Sequence, residues 1–177
     1  MKFLTLALLP LALAACASTP PLMTMVDNAS LPEAVRVPAG AKQKMWTAAA
    51  GEITYECREK KDMAGQFEWG FIGPVASLKN KAGAVVGKYY GGPTWEATDG
   101  SKVTGKQLAV ASAGAGNIPL QLVKTDPAMG MGAMQGVSHI QRLQTQGGVA
   151  PAAVCATANK GERRQVAYQA DYVFYGM

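Results

Sequence analysis

Apolar and polar residues alternate with a period of two along much of this chain. In Glu52-Ile53-Thr54-Tyr55-Glu56-Cys57, Ile53, Tyr55 and Cys57 fall on one side and Glu52, Thr54 and Glu56 on the other, the pattern of a strand with one buried face. Near the C-terminus Val166, Tyr168, Ala170, Tyr172 and Phe174 share a face, opposite Gln165, Ala167, Gln169, Asp171, Val173 and Tyr175. The same reading predicts strands over residues 43–48, 52–57, 67–72, 76–79, 85–90, 94–97, 106–111, 118–124, 138–144 and 165–175. Gly-Pro, Asp-Gly and Gly-Gly steps separate many of them. The first two strands are expected to form a hairpin. Asp99-Gly100 is the clearest turn, because both residues take positive φ cheaply. Ser30-Leu31-Pro32-Glu33 has the spacing of a capping box, but no apolar stripe follows to hold a helix. The expected fold class is all-β, an antiparallel β-sandwich or small barrel with one disulfide.

Composition agrees with many short elements joined by turns: 49% hydrophobic and 16% charged residues, with 20 glycines and 10 prolines. The formal charge of +5 is spread along the chain. No arginine-rich run or basic strand studded with aromatics is present, so nucleic acid is not an expected partner.

The N-terminus carries an address. Met1-Lys2 is followed by an apolar run ending in Leu13-Ala14-Ala15-Cys16, a secretory signal too short to span a bilayer as a mature helix. The Leu-Ala-Ala-Cys ending resembles the lipobox of bacterial lipoproteins, in which the cysteine thiol receives a diacylglyceryl group and becomes the new N-terminus. Several acyl chains on one residue give stable anchoring. The expected organisation is a signal peptide over 1–15, a lipidated Cys16 with a flexible tether over 16–36, and a single β-domain over 37–177. Pro20-Pro21 and the neighbouring Ser, Thr and Ala residues suit a tether, and some twenty extended residues reach roughly 60 Å. Ala17 resembles the position that sorts lipoproteins to the outer membrane. The expected location is therefore the cell envelope, anchored by N-terminal lipid in the outer membrane and facing the periplasm.

With Cys16 assigned to lipid, Cys57 and Cys155 remain as an even pair in a compartment that permits disulfides. A bond between them closes a loop of about 100 residues and stabilises by roughly 4 to 5 kcal/mol in the chain-entropy model. A reactive or metal-binding thiol pair is the competing reading, and folded geometry decides between them.

An ordered series of motifs runs through the domain. It comprises Tyr55-Glu56-Cys57, Gly73-Pro74-Val75-Ala76-Ser77-Leu78, Gly92-Pro93-Thr94-Trp95-Glu96-Ala97-Thr98-Asp99-Gly100-Ser101-Lys102-Val103, the stretch from Ile140 to Pro151, Cys155, and the ending Tyr168-Gln169-Ala170-Asp171-Tyr172-Val173-Phe174-Tyr175. Together these resemble the domain-of-unknown-function family numbered 3455, over about residues 37–175. The resemblance implies a secreted domain without an assigned reaction. A malate dehydrogenase label carried by some fungal relatives is not supported, since no Gly-x-Gly-x-x-Gly follows a strand and no β/α alternation occurs. Two departures bear on chemistry. Tyr89 stands where relatives often carry histidine, and Leu120 where many carry tryptophan.

Ligand-binding candidates are Tyr89, Tyr90, Trp95, Glu96, Asp99 and Arg142. A carboxylate beside exposed aromatics suits a sugar, and an arginine beside a glycine turn suits a carboxylate or phosphate. The bland reading makes Trp95 a core residue, the acids surface charges, and Arg142 a partner of Asp171. The expected function is a non-catalytic lipoprotein that binds a small ligand or an envelope protein, with no cofactor. An envelope hydrolase or redox enzyme using a Glu96/Asp99/Arg142 cluster is the alternative. Copper binding through Met129, Met131 and Met134 with His139 nearby ranks below it, because thioethers are soft ligands but methionine is common in this chain.

Overall fold

The computed structural model describes residues 25–177. The signal peptide, Cys16 and the start of the tether lie outside the described residues.

Eight antiparallel strands run up and down in sequence order and close into a barrel. They are β1 (Lys42–Glu59), β2 (Phe67–Lys79), β3 (Val85–Tyr90), β4 (Thr94–Ala97), β5 (Lys102–Ala111), β6 (Leu120–Thr125), β7 (His139–Gly147) and β8 (Arg163–Gly176). The ring shuts where β1 pairs with β8, from Lys42 opposite Gly176 to Glu56 opposite Arg163. Of the two expected architectures, the sequence adopts the barrel.

Two expected breaks are absent. Residues 43–48 and 52–57 do not fold back as a hairpin; they are one strand, β1, whose neighbours are β2 and β8. Gly51, between the two expected strands, permits close approach. A Cβ there would lie 2.0 Å from the Val75 carbonyl oxygen and 2.5 Å from the Ala76 Cα. Likewise Gly73-Pro74 does not end β2, which runs through it beside a register shift at Thr54/Tyr55 of β1. A proline lacking an N–H fits there because β2 has no partner on its other side before Val75.

The barrel interior is one hydrophobic cluster that includes Ile53, Leu78, Tyr89, Trp95, Val103, Met134, Ile140, Tyr172 and Phe174. At its centre Tyr89 stacks on Trp95 with ring centroids 4.9 Å apart, and Tyr172 meets both, at 4.9 Å and 5.6 Å. The β6–β7 connection closes one end. Met134 is fully buried, its N–H donates to Ser101 Oγ, and the Ala133 N–H donates to Asp99 Oδ2 at 2.7 Å.

A second cluster lies outside the ring. Val35 and Val37 cover Leu122, Leu143, Val173 and Tyr175, with Val26 and Leu31 packed alongside. Residues 25–36, expected as flexible tether, therefore form a strap with single 3-10 turns at Asn28–Ser30 and Glu33–Val35. Its anchor is Gln141 on β7, whose Nε2 donates to the Val35 carbonyl (2.6 Å) and Asn28 Oδ1 (3.1 Å) while Oε1 accepts from Tyr175 Oη (2.8 Å). A buried amide with each half satisfied holds the strap in register.

Cys57 and Cys155 form the expected disulfide, with Cα atoms 5.4 Å apart. It ties the β7–β8 connection to β1, and Trp69 Nε1 of β2 adds a bond to the Ala153 carbonyl (2.7 Å).

Candidate functional site

Strand lengths create the site. The β3–β4 hairpin is short, so β2 pairs with β3 only from Val75 onward and β4 pairs with β5 only up to Thr104. Residues 67–74 of β2 and 105–111 of β5 continue past the hairpin tip. A notch two strands wide is left in the wall, and its sides are three strand spacings, about 14 Å, apart. The notch rim is apolar where solvent is expected: Phe71 is 54% exposed, Ile72 43% and Leu108 53%.

Behind the notch lies a cavity of about 320 Å³, within the small-ligand range. Its walls include Ile53 and Tyr55 of β1, Phe71 and Pro74 of β2, Tyr89 of β3, Gln107 of β5 and Arg142 of β7. Tyr55 meets the Phe71 edge at 6.0 Å and donates its hydroxyl to the Gly148 carbonyl at 2.8 Å. Tyr89 connects the cavity to the aromatic stack. Beneath it the Trp95 Nε1, Tyr168 Oη and Tyr172 Oη atoms are buried without a hydrogen-bond partner among the described residues. The Tyr168 and Tyr172 hydroxyls are near enough to affect each other's ionisation. Burial pushes the hydroxyls of Tyr55, Tyr89, Tyr168 and Tyr172 up, and in all four the Arg142 charge opposes the rise. Arg142 is thus the cation that this interior feels. Its Nε and Nη2 both donate to the Pro119 carbonyl, at 3.1 Å and 2.9 Å, and it forms no ion pair with Asp171.

The six candidates separate into three places. Tyr89 and Arg142 line the cavity, and Trp95 is the wholly buried residue behind it. Tyr90 and Glu96 are on the outer face, where Tyr90 Oη donates to Glu96 Oε2 at 2.7 Å and Lys88 Nζ lies 3.2 Å from Glu96 Oε1. The Tyr90 hydroxyl and then Lys88 hold the Glu96 carboxyl below the usual range. Asp99 is structural: one carboxylate oxygen accepts from the Ser101 N–H (2.9 Å) and hydroxyl (2.6 Å), the other from Ala133. Those bonds hold its carboxyl below the usual range too. At Gly132, with φ +147°, a Cβ would fall 2.2 Å from that carboxylate. Glu96, Asp99 and Arg142 therefore share no pocket, and the cluster required by the hydrolase or redox alternative does not form.

The copper set also diverges. Met134 is in the core, Met131 is 81% exposed, and Met129 bridges to Lys102 through its backbone. His139 is buried, its Nδ1 3.1 Å from Ser138 Oγ, and burial together with Lys124 lowers its pKa. Among the described residues no group of three or more His, Cys, Asp or Glu side chains is placed to hold a metal. Leu120 is packed with the outer cluster and does not line the cavity. The cavity residues Tyr55, Phe71, Gln107 and Gln121 were not singled out, because alternation gives a residue's face but not the length of its neighbouring strand.

No curated protein and no solved structure matches the chain. Residues 38–176, nearly the whole described domain, match the family described as protein of unknown function, DUF3455, and the chain belongs to that family.

Proposed function

We propose that this protein is a non-catalytic binding lipoprotein of the cell envelope, anchored through lipid on Cys16 in the outer membrane, whose barrel receives a small ligand through the notch in its wall. The observation that carries the reading is the notch itself: an apolar rim opening on a cavity with aromatic walls and one inward cation. Pockets of that composition, a few polar groups in an apolar lining, are where small molecules bind. The carboxylates that an enzyme would need are engaged in holding the hairpin surface and the β6–β7 connection. From Cys16 to the start of the strap at residue 25 the chain has nine residues, a reach of at most about 30 Å.

Two measurements test this. Metabolic labelling with a palmitate analogue is expected to mark the protein, and Cys16→Ser is expected to lose the label and leave the membrane fraction; retention of both overturns the anchor. Native mass spectrometry of the protein purified from membranes in detergent is expected to show a bound small molecule that the notch-filling variant Gln107→Trp loses. An unliganded mass together with failure to bind any of a set of aromatic fragments overturns the binding role.

A further inference from the structure

We infer that the cavity takes a small amphiphilic oxyanion, with a carboxylate or phosphate head on Arg142 and an apolar or aromatic body lying toward Phe71 and the notch. This rests on the notch being the ligand entrance.

The phase of β7 decides which of its side chains enter the barrel. Gln141 and Leu143 face outward, under the strap. Ile140 packs in the interior cluster and Arg142 lines the cavity, so these two face inward. Arg142 is only half-buried at the cavity, with solvent reaching its guanidinium, so its charge is open to an answering anion. The protein answers only its geometry. A guanidinium has five N–H donors, and two atoms, Nε and Nη2, are held on the Pro119 carbonyl. That contact fixes the plane of the fork while leaving the charge unneutralised, because a carbonyl is not an anion. None of the ion pairs among the described residues includes Arg142, and no acidic side chain lines the cavity.

A planar, pre-oriented fork is the group best matched to a carboxylate or phosphate. A second source of donors is at hand. Gln121 Nε2 donates to Gln107 Oε1 at 2.6 Å, so the Gln107 amide presents its N–H groups rather than its oxygen as the unused half. The remainder of the lining, Ile53, Tyr55, Phe71 and Ile118 among it, is apolar or aromatic, which suits a body and disfavours a bare inorganic ion. The cavity volume of about 320 Å³ limits the ligand to a small molecule.

Calorimetric titration of the detergent-purified protein with benzoate, phenyl phosphate, inorganic phosphate and benzyl alcohol tests the inference. Benzoate or phenyl phosphate is expected to bind, the stronger of the two identifying the head group, and benzyl alcohol to bind at least about tenfold more weakly. Arg142→Gln is expected to weaken the anion roughly ten- to hundredfold, the range for loss of hydrogen bonds to a charged group, without changing benzyl alcohol. Lys88→Gln, which removes a cation from the outer face, is expected to leave both unchanged. If Arg142→Gln does not fold, Arg142→Lys serves instead: it keeps the charge without the fork and should weaken the anion by a smaller factor. Equal binding of benzyl alcohol and the anions overturns the charge while leaving the notch as a ligand site. Inorganic phosphate binding as well as phenyl phosphate overturns the apolar body. Anion affinity unmoved in the folded Arg142 variants overturns the inference outright. Failure of every probe to bind overturns both the inference and the entrance it rests on.

Discussion

The two ends of the barrel interior are built on different terms. At the end closed by the β6–β7 connection, the space is filled by Trp95, Tyr172, Phe174 and Met134, all fully buried. Beyond the β3–β4 tip the wall loses two strands, Phe71 is more than half exposed, and the order comes from elsewhere: the disulfide and the hydrogen bonds of the β7–β8 connection. Packing density stabilises the first end, and a covalent tie restrains the second. A cavity in a small domain is thus held by a restraint that does not depend on filling it.

Truncating an aromatic at each end should separate the two most sharply. Trp95→Ala removes a side chain with no solvent exposure and should cost about 3–5 kcal/mol in denaturant unfolding. A loss below about 1 kcal/mol would mean that the closed end is not the stabilising core. Removing the disulfide by the paired Cys57→Ser and Cys155→Ser changes should cost about 2–5 kcal/mol. Amide exchange should then rise first in residues 148–162 and in the adjoining part of β1. Uniform acceleration across all strands would break the division between ends.

A smaller effect is expected from pH through Asp99, which pins the closing connection. Its carboxyl is held below the usual range in the folded protein by the Ser101 and Ala133 bonds. The unfolded chain therefore takes up the proton first, near the ordinary Asp value of about 3.9, and stability falls as pH drops from there through the lower folded value. The slope should shrink in Asp99→Asn, read as melting temperature against pH. An unchanged slope would assign acid sensitivity to other groups. Smallest is Phe71→Ala, expected to cost less than about 1 kcal/mol although it removes another aromatic ring, since that ring is largely exposed. A cost near that of Trp95→Ala would show the notch rim to be core.

Much of the fold was legible. Residues 85–90 and 94–97 match β3 and β4 without adjustment, the Asp99-Gly100 turn lies where expected, and Cys57 faces Cys155. The failures share a cause, which is that glycine and proline read as breaks unless the neighbouring strand is known. Gly51 lies inside β1 because Val75 and Ala76 crowd it, and Pro74 inside β2 because β3 pairs with β2 only from Val75 onward. The strap was missed because its contacts are few and scattered, with Val26, Leu31, Val35 and Val37 the apolar residues that pack. Its presence also buries both faces of β7, so the alternation that would mark Arg142 as inward is not visible in the sequence. The notch depends on comparing lengths of strands that are neighbours only in space, and no local pattern records that comparison.

Closure of the ring by its first and last strands sets an order of assembly. Each of the other pairings joins strands adjacent in sequence and can form as soon as its hairpin is complete. The β1–β8 seam, by contrast, waits for residues more than a hundred positions away, with the loop-closure entropy that such a separation carries. Until the stretch from Arg163 to Gly176 has been synthesised and delivered, β1 has a bare edge, and the aromatic interior has no wall on the side that Tyr168, Tyr172 and Phe174 supply. A polypeptide with this arrangement keeps an open, unlocked form until its final strand arrives, and the same strand that completes the ring brings in residues that fill it.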